Sequence, residues 1–446
     1  MDFKTDFIDE INKLNGEIYM VGGCVRNILY NFIHKTSKNI KDIDLIVTNI
    51  NIDSLKKILN KYGKTNEIGK SFGIIKFKTK DFSNSEKLIE FDIAFPRIEI
   101  STGPGYRDFK VTYDSTIKLV EDFKRRDATI NAIGIKLYKY SELNDYINKK
   151  FTNKEFLFDP FNGFNDIKNK IWKAVGNPED RFLEDATRIM RALRQCGELD
   201  LSLDENTKIC IIKNKNLLMD ILKISSVRIT EELTRLLISC SNNMINFLYV
   251  SGIHKILEIP SESKQYILAC NSENSNLRIR FACLLLASEN KNINKWLINY
   301  NLSAASHFES KSVKFLKSFN SYSEFKPLLY NIFNREENLK INIKKIMRIM
   351  EKLCPNKGIE YTIDLLKYYN IITFDKSKKF NELIELIEKM KTNGIALKIE
   401  EVKLNGHKIM NLYDIKNKDI KKLKLWLLDN IINDRVKNIE DDLIKF

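Results

Sequence analysis

The sequence predicts an α/β head built on a mixed sheet, followed by an all-α remainder, in a chain long enough for about three domains. Turn-forming residues are concentrated at the front: twelve of the sixteen glycines lie at or before Gly197, and four of the seven prolines at or before Pro178. Short apolar runs punctuated by glycine lie in the same part of the chain. Beyond about Ser225 nearly every segment instead repeats apolar residues at i, i+3 and i+4.

In order, Glu17 to Val21 reads as a strand, Gly22 and Gly23 as a turn, and Cys24 to Phe32 as a helix. Asp42 to Val47 is the next strand and Ile52 to Tyr62 an amphipathic helix. Gly69 and Gly73 punctuate a further pair of strands, Ile74 to Phe77 and Leu88 to Phe95. Ser225 is the expected N-cap of a helix over Val227 to Ile238. Further helices are expected over Met244 to Tyr249, Leu277 to Leu286, Ile341 to Leu353, Ile359 to Tyr369, Phe380 to Met390 and Lys421 to Ile432. Their apolar stripes are packing faces, and no fixed-period repeat joins them.

The 446 residues carry 74 Lys plus Arg against 59 Asp plus Glu, a net charge of +15, and 43% are hydrophobic. That composition supports sizeable cores and argues against disorder. No stretch approaches the roughly 20 apolar residues of a spanning helix, and the start of the chain lacks a secretory pattern. Seven singly spaced cysteines indicate neither a disulfide framework nor a zinc knuckle. The expectation is a folded cytoplasmic protein. Its surplus charge favours polyanionic partners, although Lys/Asn/Ile-rich composition alone would also supply it.

Four segments carry chemistry. In the first, Gly22-Gly23-Cys24-Val25-Arg26 precedes Asp42-Ile43-Asp44. Strand alternation puts Asp42 and Asp44 on one face, a spacing suited to Mg²⁺, while the glycine turn and Arg26 suit phosphate. The second is Arg125-Arg126-Asp127-Ala128-Thr129-Ile130-Asn131-Ala132, two guanidinium groups with a carboxylate and an amide. The third, Asp159-Pro160-Phe161-Asn162-Gly163-Phe164-Asn165-Asp166, reads as a turn between domains and, more plainly, as a linker. In the fourth, Asp185, Arg188, Arg191 and Arg194 recur every three residues and so line one side of a helix. An Asp beside an Arg can satisfy the edge of a base. Gly69-Lys70-Ser71 approaches a Walker A ending, but the spacing back to Gly63 is one residue too long.

In this order the four segments resemble the class II tRNA nucleotidyltransferases of the polymerase-β superfamily, which include CCA-adding enzymes and bacterial poly(A) polymerases. The resemblance runs to about Arg194. It implies that Gly22, Gly23, Arg26, Asp42 and Asp44 form the catalytic motif, with Asp42 and Asp44 as metal ligands and Asp92 as a third carboxylate. It implies nucleotide binding by Arg125, Arg126, Asp127 and Asn131, and base reading by Glu184, Asp185 and Arg188, with Arg191 and Arg194 beside them. Asn27 replaces the family's usual acid after Val-Arg. Residues 97–118, with Gly103, Gly105 and Tyr106, resemble the loop that helps relatives switch from C to A addition. The stretch Gly69 to Ile74 lacks the basic segment of many poly(A) polymerases and leans toward the CCA-adding branch.

The expected organisation is an elongated multi-domain chain: a polymerase-β-like nucleotidyltransferase head (1–158), a helical neck with the base template (159–225), a helical body (226–330) and a helical tail (331–446). The expected activity is CCA addition to tRNA from CTP and ATP with Mg²⁺. The tRNA would be held at its acceptor end and elbow, with no membrane or DNA partner. An A-adding enzyme or a poly(A) polymerase is the alternative, and an inactive RNA-binding scaffold a remote one.

Overall fold

Asp6 starts the first helix, α1 (Phe7–Lys13), by accepting hydrogen bonds from the Ile8 and Asp9 amides at 2.8 and 2.9 Å. The structure, a computed structural model, describes residues 6–40, 42–68, 74–81, 84–101, 109–147, 151, 155–272, 275–286, 293–301, 316, 343, 346–347, 359–373, 379–413 and 416–446. The chain divides into two units, Met1–Ile256 and Leu257–Phe446.

The first unit is built on strands β1 (Glu17–Val21), β2 (Ile43–Thr48), β3 (Gly63–Ile68), β4 (Ile74–Asp81), β5 (Asn84–Ala94), β6 (Arg97–Ser101), β7 (Phe109–Tyr113), β8 (Gly134–Leu137) and β9 (Leu157–Phe158). Seven of them form one mixed sheet in the order β3-β4-β5-β2-β1-β8-β9, while β6 and β7 pair separately. Strand β1 is antiparallel to β2 and β8, and β2 runs parallel to β5. Four of the five β1 residues are buried, because a central strand is covered on both faces and reads as a continuous apolar run. Phe7 packs edge-on to Phe77 at 5.3 Å and lies 5.9 Å from Phe91, so α1 closes one face. The other face carries a cluster of Tyr19, Val21, Ile46 and Phe123, with Phe158 and Phe161 packed against it.

Helix α2 (Gly23–His34) follows β1, α3 (Ile52–Tyr62) follows β2, and α4 (Leu119–Lys124) precedes the Arg125–Ala132 segment. The Asn51 side chain caps α3 through the Ser54 amide at 2.8 Å. After α5 (Tyr140–Ile147) the chain becomes helical: α6 (Gly163–Lys168), α7 (Pro178–Glu184), α8 (Thr187–Leu199), α9 (Glu205–Asn214), α10 (Leu218–Ile238) and α11 (Asn242–Val250). Ser225 has non-helical dihedrals (φ −156°, ψ 75°) and breaks α10 where the sequence places a helix start.

The segment from Asp159 to Asp166 is a brace and not a linker. Both Asp159 oxygens accept from the start of α6, at Gly163 and Phe164, each at 2.8 Å. Thr129 Oγ1 donates to Asp166 Oδ2 at 2.7 Å. Gly163 lies so close that a Cβ there would sit 2.2 Å from the Thr129 carbonyl oxygen.

In the second unit the helices Leu277–Leu285, Ile359–Thr373, Lys379–Thr392 and Asn417–Ile432 cover the sequence-predicted stretches within a few residues. Asn276 caps the first of these, and Arg278 pairs with Asp364 at 2.7 Å. The expected helix over Ile341 to Leu353 lies mostly outside the described residues, as do Gly69 to Gly73, Gly103, Gly105 and Tyr106. Among the described residues no helix is long and apolar enough to cross a membrane.

Candidate active site

Parallel pairing of β2 with β5 sets Asp44 directly opposite Asp92, so the two carboxylates leave the same face of the sheet on adjacent strands. Burial raises the Asp44 carboxyl to about 6; Arg126 pulls it back, and the Asp92 and Asp42 carboxylates add to the rise. Lys76 is the cation beside Asp92, 3.6 Å away, and it also pairs with Glu90 at 2.9 Å. Asp42 departs from the strand-alternation reading. Strand β2 begins one residue later, and Asp42 is an exposed residue with left-handed backbone (φ 49°).

Gly22 joins this carboxylate pair to the helix behind it. Its φ of +80° favours glycine, and a Cβ would come within 3.1 Å of Asp44 Oδ2 and 3.6 Å of Arg126 Nη1. It is also the N-cap of α2, whose first residue is Gly23, so the positive end of a twelve-residue helix opens beside Asp44. Arg26, one turn on, donates to Asn131 Oδ1 at 2.8 Å and through Nε and Nη2 to Asn27 Oδ1 at 3.1 and 3.0 Å. Asn27 thus orients Arg26 through a neutral acceptor. Burial, then the neighbouring Arg194, bring the Arg26 guanidinium down to about 10.

Across the cleft the charges are closely matched. Asp122, fully buried, accepts from Arg125 at 2.7 Å and from Arg126 at 3.1 Å. Burial pushes its carboxyl up, yet the two arginines together hold it below the usual carboxylate range. Arg126 also stacks on Phe123 at 4.7 Å and donates to the Asn131 carbonyl at 2.8 Å. Asp127 Oδ2 accepts from Arg191 Nη2 at 2.7 Å and from Gln195 Nε2 at 3.2 Å, while Oδ1 accepts from Asn131 Nδ2 at 2.7 Å. Burial works against the Asp127 anion, but Arg191 and these hydrogen bonds hold it well below the usual range, and Arg191 is raised in turn.

Gln195, 1% exposed, is the hub of this side. Its Oε1 accepts from Asn131 at 2.9 Å and from Trp172 at 3.1 Å, so its Nε2 faces Asp127. That arrangement turns the Asn131 carbonyl oxygen, and not its amino group, toward Arg26.

Asp185 and Arg188 do not share a helix face. Asp185 ends α7 with extended backbone (φ −151°), and α8 starts two residues later. Asp185 Oδ1 caps α8 by accepting from the Thr187 amide at 3.0 Å and hydroxyl at 2.7 Å, and Oδ2 accepts from Arg228 at 2.6 Å. Arg188 pairs with Glu184 at 2.5 Å and donates to the carbonyls of Arg181 and Arg125 at 3.1 and 2.8 Å. Arg194, 4% exposed, is held by Glu232 and by Glu198, the latter at 2.7 Å.

Every site residue selected from the sequence except Asp42 and Glu184 lines one cleft of about 620 Å³. Asp122, Gln195, Arg228 and Arg235 line it too, and the sequence reading passed them over. Asp122 had a usable signal, standing three and four residues before Arg125 and Arg126. Gln195 and Arg228 had none, since their partners are distant in sequence. Among the described residues no three His, Cys, Asp or Glu side chains gather into a metal cage.

Residues 18–173 match the model of the poly A polymerase head domain. The CCA-adding enzyme of Lactobacillus delbrueckii subsp. bulgaricus is 34% identical over 233 residues, 51% of this chain and 48% of that one. The chain thus spans about half the length of the curated relatives it matches. The CCA-adding enzyme of Bacillus stearothermophilus in complex with CTP has the same fold, with TM-score 0.66 and 20% identity over 98% of this chain and 94% of that one. The Thermotoga maritima CCA-adding enzyme complexed with tRNA_CCA aligns with TM-score 0.65 at 16% identity, over 98% and 92% of the two chains.

Proposed function

We propose that this chain, whose residues 18–173 match the poly A polymerase head-domain model, is a tRNA nucleotidyltransferase adding C, C and A to the tRNA 3′ end from CTP and ATP, with release of pyrophosphate. The observation that carries the reading is the base-reading pair standing in the same cleft as the Asp44–Asp92 pair. Asp185 has one acceptor position left, on Oδ2, after its three hydrogen bonds. Arg188 has three of its five N–H donors in use, leaving Nε and one on Nη2. One acceptor beside two donors complements cytosine and adenine, each of which offers an exocyclic amine next to a ring-nitrogen acceptor. Uracil and guanine present a carbonyl and a ring N–H there. A bidentate reading is worth about 1–3 kcal/mol, or roughly ten- to a hundredfold per step, and closure of the cleft supplies further discrimination.

Nucleotidyltransferases of this family generally use divalent metal ions. The donor set fits one: the Asp44 and Asp92 carboxylates stand side by side and repel each other, and Asp42 is near enough to add to the rise of Asp44, all of them oxygen donors. Mg²⁺ suits it, because that ion takes one or two carboxylates and completes its shell with water and substrate phosphate. Asp42 and Asp44 would hold it, with Asp92 opposite Asp44 as the third carboxylate. When bound, the cation neutralises triphosphate charge and favours loss of pyrophosphate. Arg26, Arg126 and the α2 N-terminus hold the triphosphate so that its α-phosphorus faces the RNA 3′ hydroxyl for in-line displacement. The division into head (1–158), neck (159–225), body (226–330) and tail (331–446), with the helical tail on the tRNA elbow, belongs to the same proposal, as does a cytoplasmic location.

The test is incorporation of labelled CTP and ATP, singly and together, into transcripts lacking CCA, ending in C and ending in CC. Growth that stops after C, C and A supports the reading. Addition of A to the CC-ending transcript alone makes the chain an A-adding enzyme. Long A tails on any RNA make it a poly(A) polymerase. Binding of tRNA without incorporation makes it an inactive scaffold, and wild-type incorporation by Asp42→Ala with Asp44→Ala removes the catalytic assignment.

A further inference from the structure

Asp185 can read a base only if its carboxylate is turned one way and offers one lone pair at a fixed point. It lies in the break between α7 and α8, where no helix backbone orients its side chain. Thr187 holds Oδ1 from within the same turn. The other oxygen is held from a distant element. Arg228 Nη2 donates to Asp185 Oδ2 at 2.6 Å and to Thr187 Oγ1 at 2.9 Å. It can do so because Ser225 breaks α10 and the helix restarts before Arg228.

We propose that Arg228 is a positioning residue for base selection, acting through Asp185: it occupies one lone pair of Oδ2 and leaves the second as the sole acceptor toward the nucleotide. This deepens the base-reading role assigned above and rests on it. Without Arg228 the Oδ2 atom gains a second acceptor position, and the carboxylate is held on its Oδ1 side alone. It then takes amines at several places, and cytosine no longer binds better than uracil by virtue of its amine. Both bonds come from a single nitrogen, so a lysine ammonium can replace them.

The experiment uses the full chain with Arg228→Met and Arg228→Lys, in Mg²⁺ buffer with a transcript lacking CCA. The readout is the ratio of kcat/KM for CTP over UTP, with the ratio of Kd for UTP over CTP measured on the same proteins without RNA. Arg228→Met is expected to lower both ratios tenfold or more, and Arg228→Lys to keep them within about threefold of wild type. Should Arg228→Met turn over too slowly to measure, the Kd ratio alone decides. A wild-type ratio in Arg228→Met overturns the proposal, as does a loss in Arg228→Lys equal to that in Arg228→Met. A wild-type chain that incorporates neither CTP nor ATP instead overturns the function on which it rests.

Discussion

The two walls of the cleft handle charge in opposite ways. On the sheet wall Asp44 and Asp92 stand side by side, and burial with mutual repulsion drives Asp44 up to about 6. On the helical wall Asp122 and Asp127 are more deeply buried yet held below the usual carboxylate range, because Arg125, Arg126 and Arg191 sit directly on them. Depth of burial therefore does not decide which carboxylates are strained. The presence of a matched guanidinium does. The sheet wall carries the charge that the proposed cation would satisfy, whereas the helical wall is wired within the protein and supplies rigidity.

The sharpest way to break that contrast is Asp44→Asn. Turnover should fall on the order of 10²–10³-fold, while Tm holds or rises, since the desolvated member of a repelling pair loses its charge. A clear drop in Tm would mean that Asp44 is structural. Asp127→Ala should do the reverse in kind, costing about 3 kcal/mol of stability in urea unfolding because it takes an acceptor from Asn131 and Gln195 and leaves Arg191 only Glu232, 3.9 Å away. Gln195→Leu should cost about 2 kcal/mol by leaving the Trp172 N–H without an acceptor and the Asn131 amide with Asp127 alone. Its KM for CTP and ATP should rise together, since it acts through Asn131 on Arg26 and not on the base. A rise confined to one nucleotide would contradict that route.

The smallest effect is in acid. The Asp127 pKa is lowered on folding, so its contribution is complete above the unfolded value near 3.9 and is lost as pH falls through the folded one. The stability gap between wild type and Asp127→Asn should thus be constant from pH 7 to 5 and shrink below about pH 4. A gap unchanged at pH 3 would show that Asp127 works by hydrogen bonding alone.

Local patterns carried much of this. Glu17–Val21 and Ile52–Tyr62 begin and end where apolar spacing, Gly22 and Asn51 place them. The break at Ser225 follows from a capping residue ahead of an apolar stripe. Local reading failed where a side chain answers to a distant partner. Three-residue spacing put Asp185 on the face of Arg188, but its carboxylate caps α8 through Thr187 and bonds to Arg228, so the helix starts after it. Alternation put Asp42 in a strand that begins at Ile43. Gln195, between Arg194 and Cys196 on α8, carries no local signal, although its amide joins Trp172, Asn131 and Asp127.

The sequence by itself determined the mixed-sheet head, the helical remainder and the chemistry of the cleft, because strand and helix periods, caps and glycine turns act over a few residues. Tertiary structure decided which carboxylates are neutralised, which arginines remain open to a ligand and which way the Asp185 and Asn131 side chains face. Those outcomes depend on pairs such as Asp127 with Arg191 and Asp185 with Arg228. Electrostatic energy falls off with distance in space, and folding alone brings such pairs within reach.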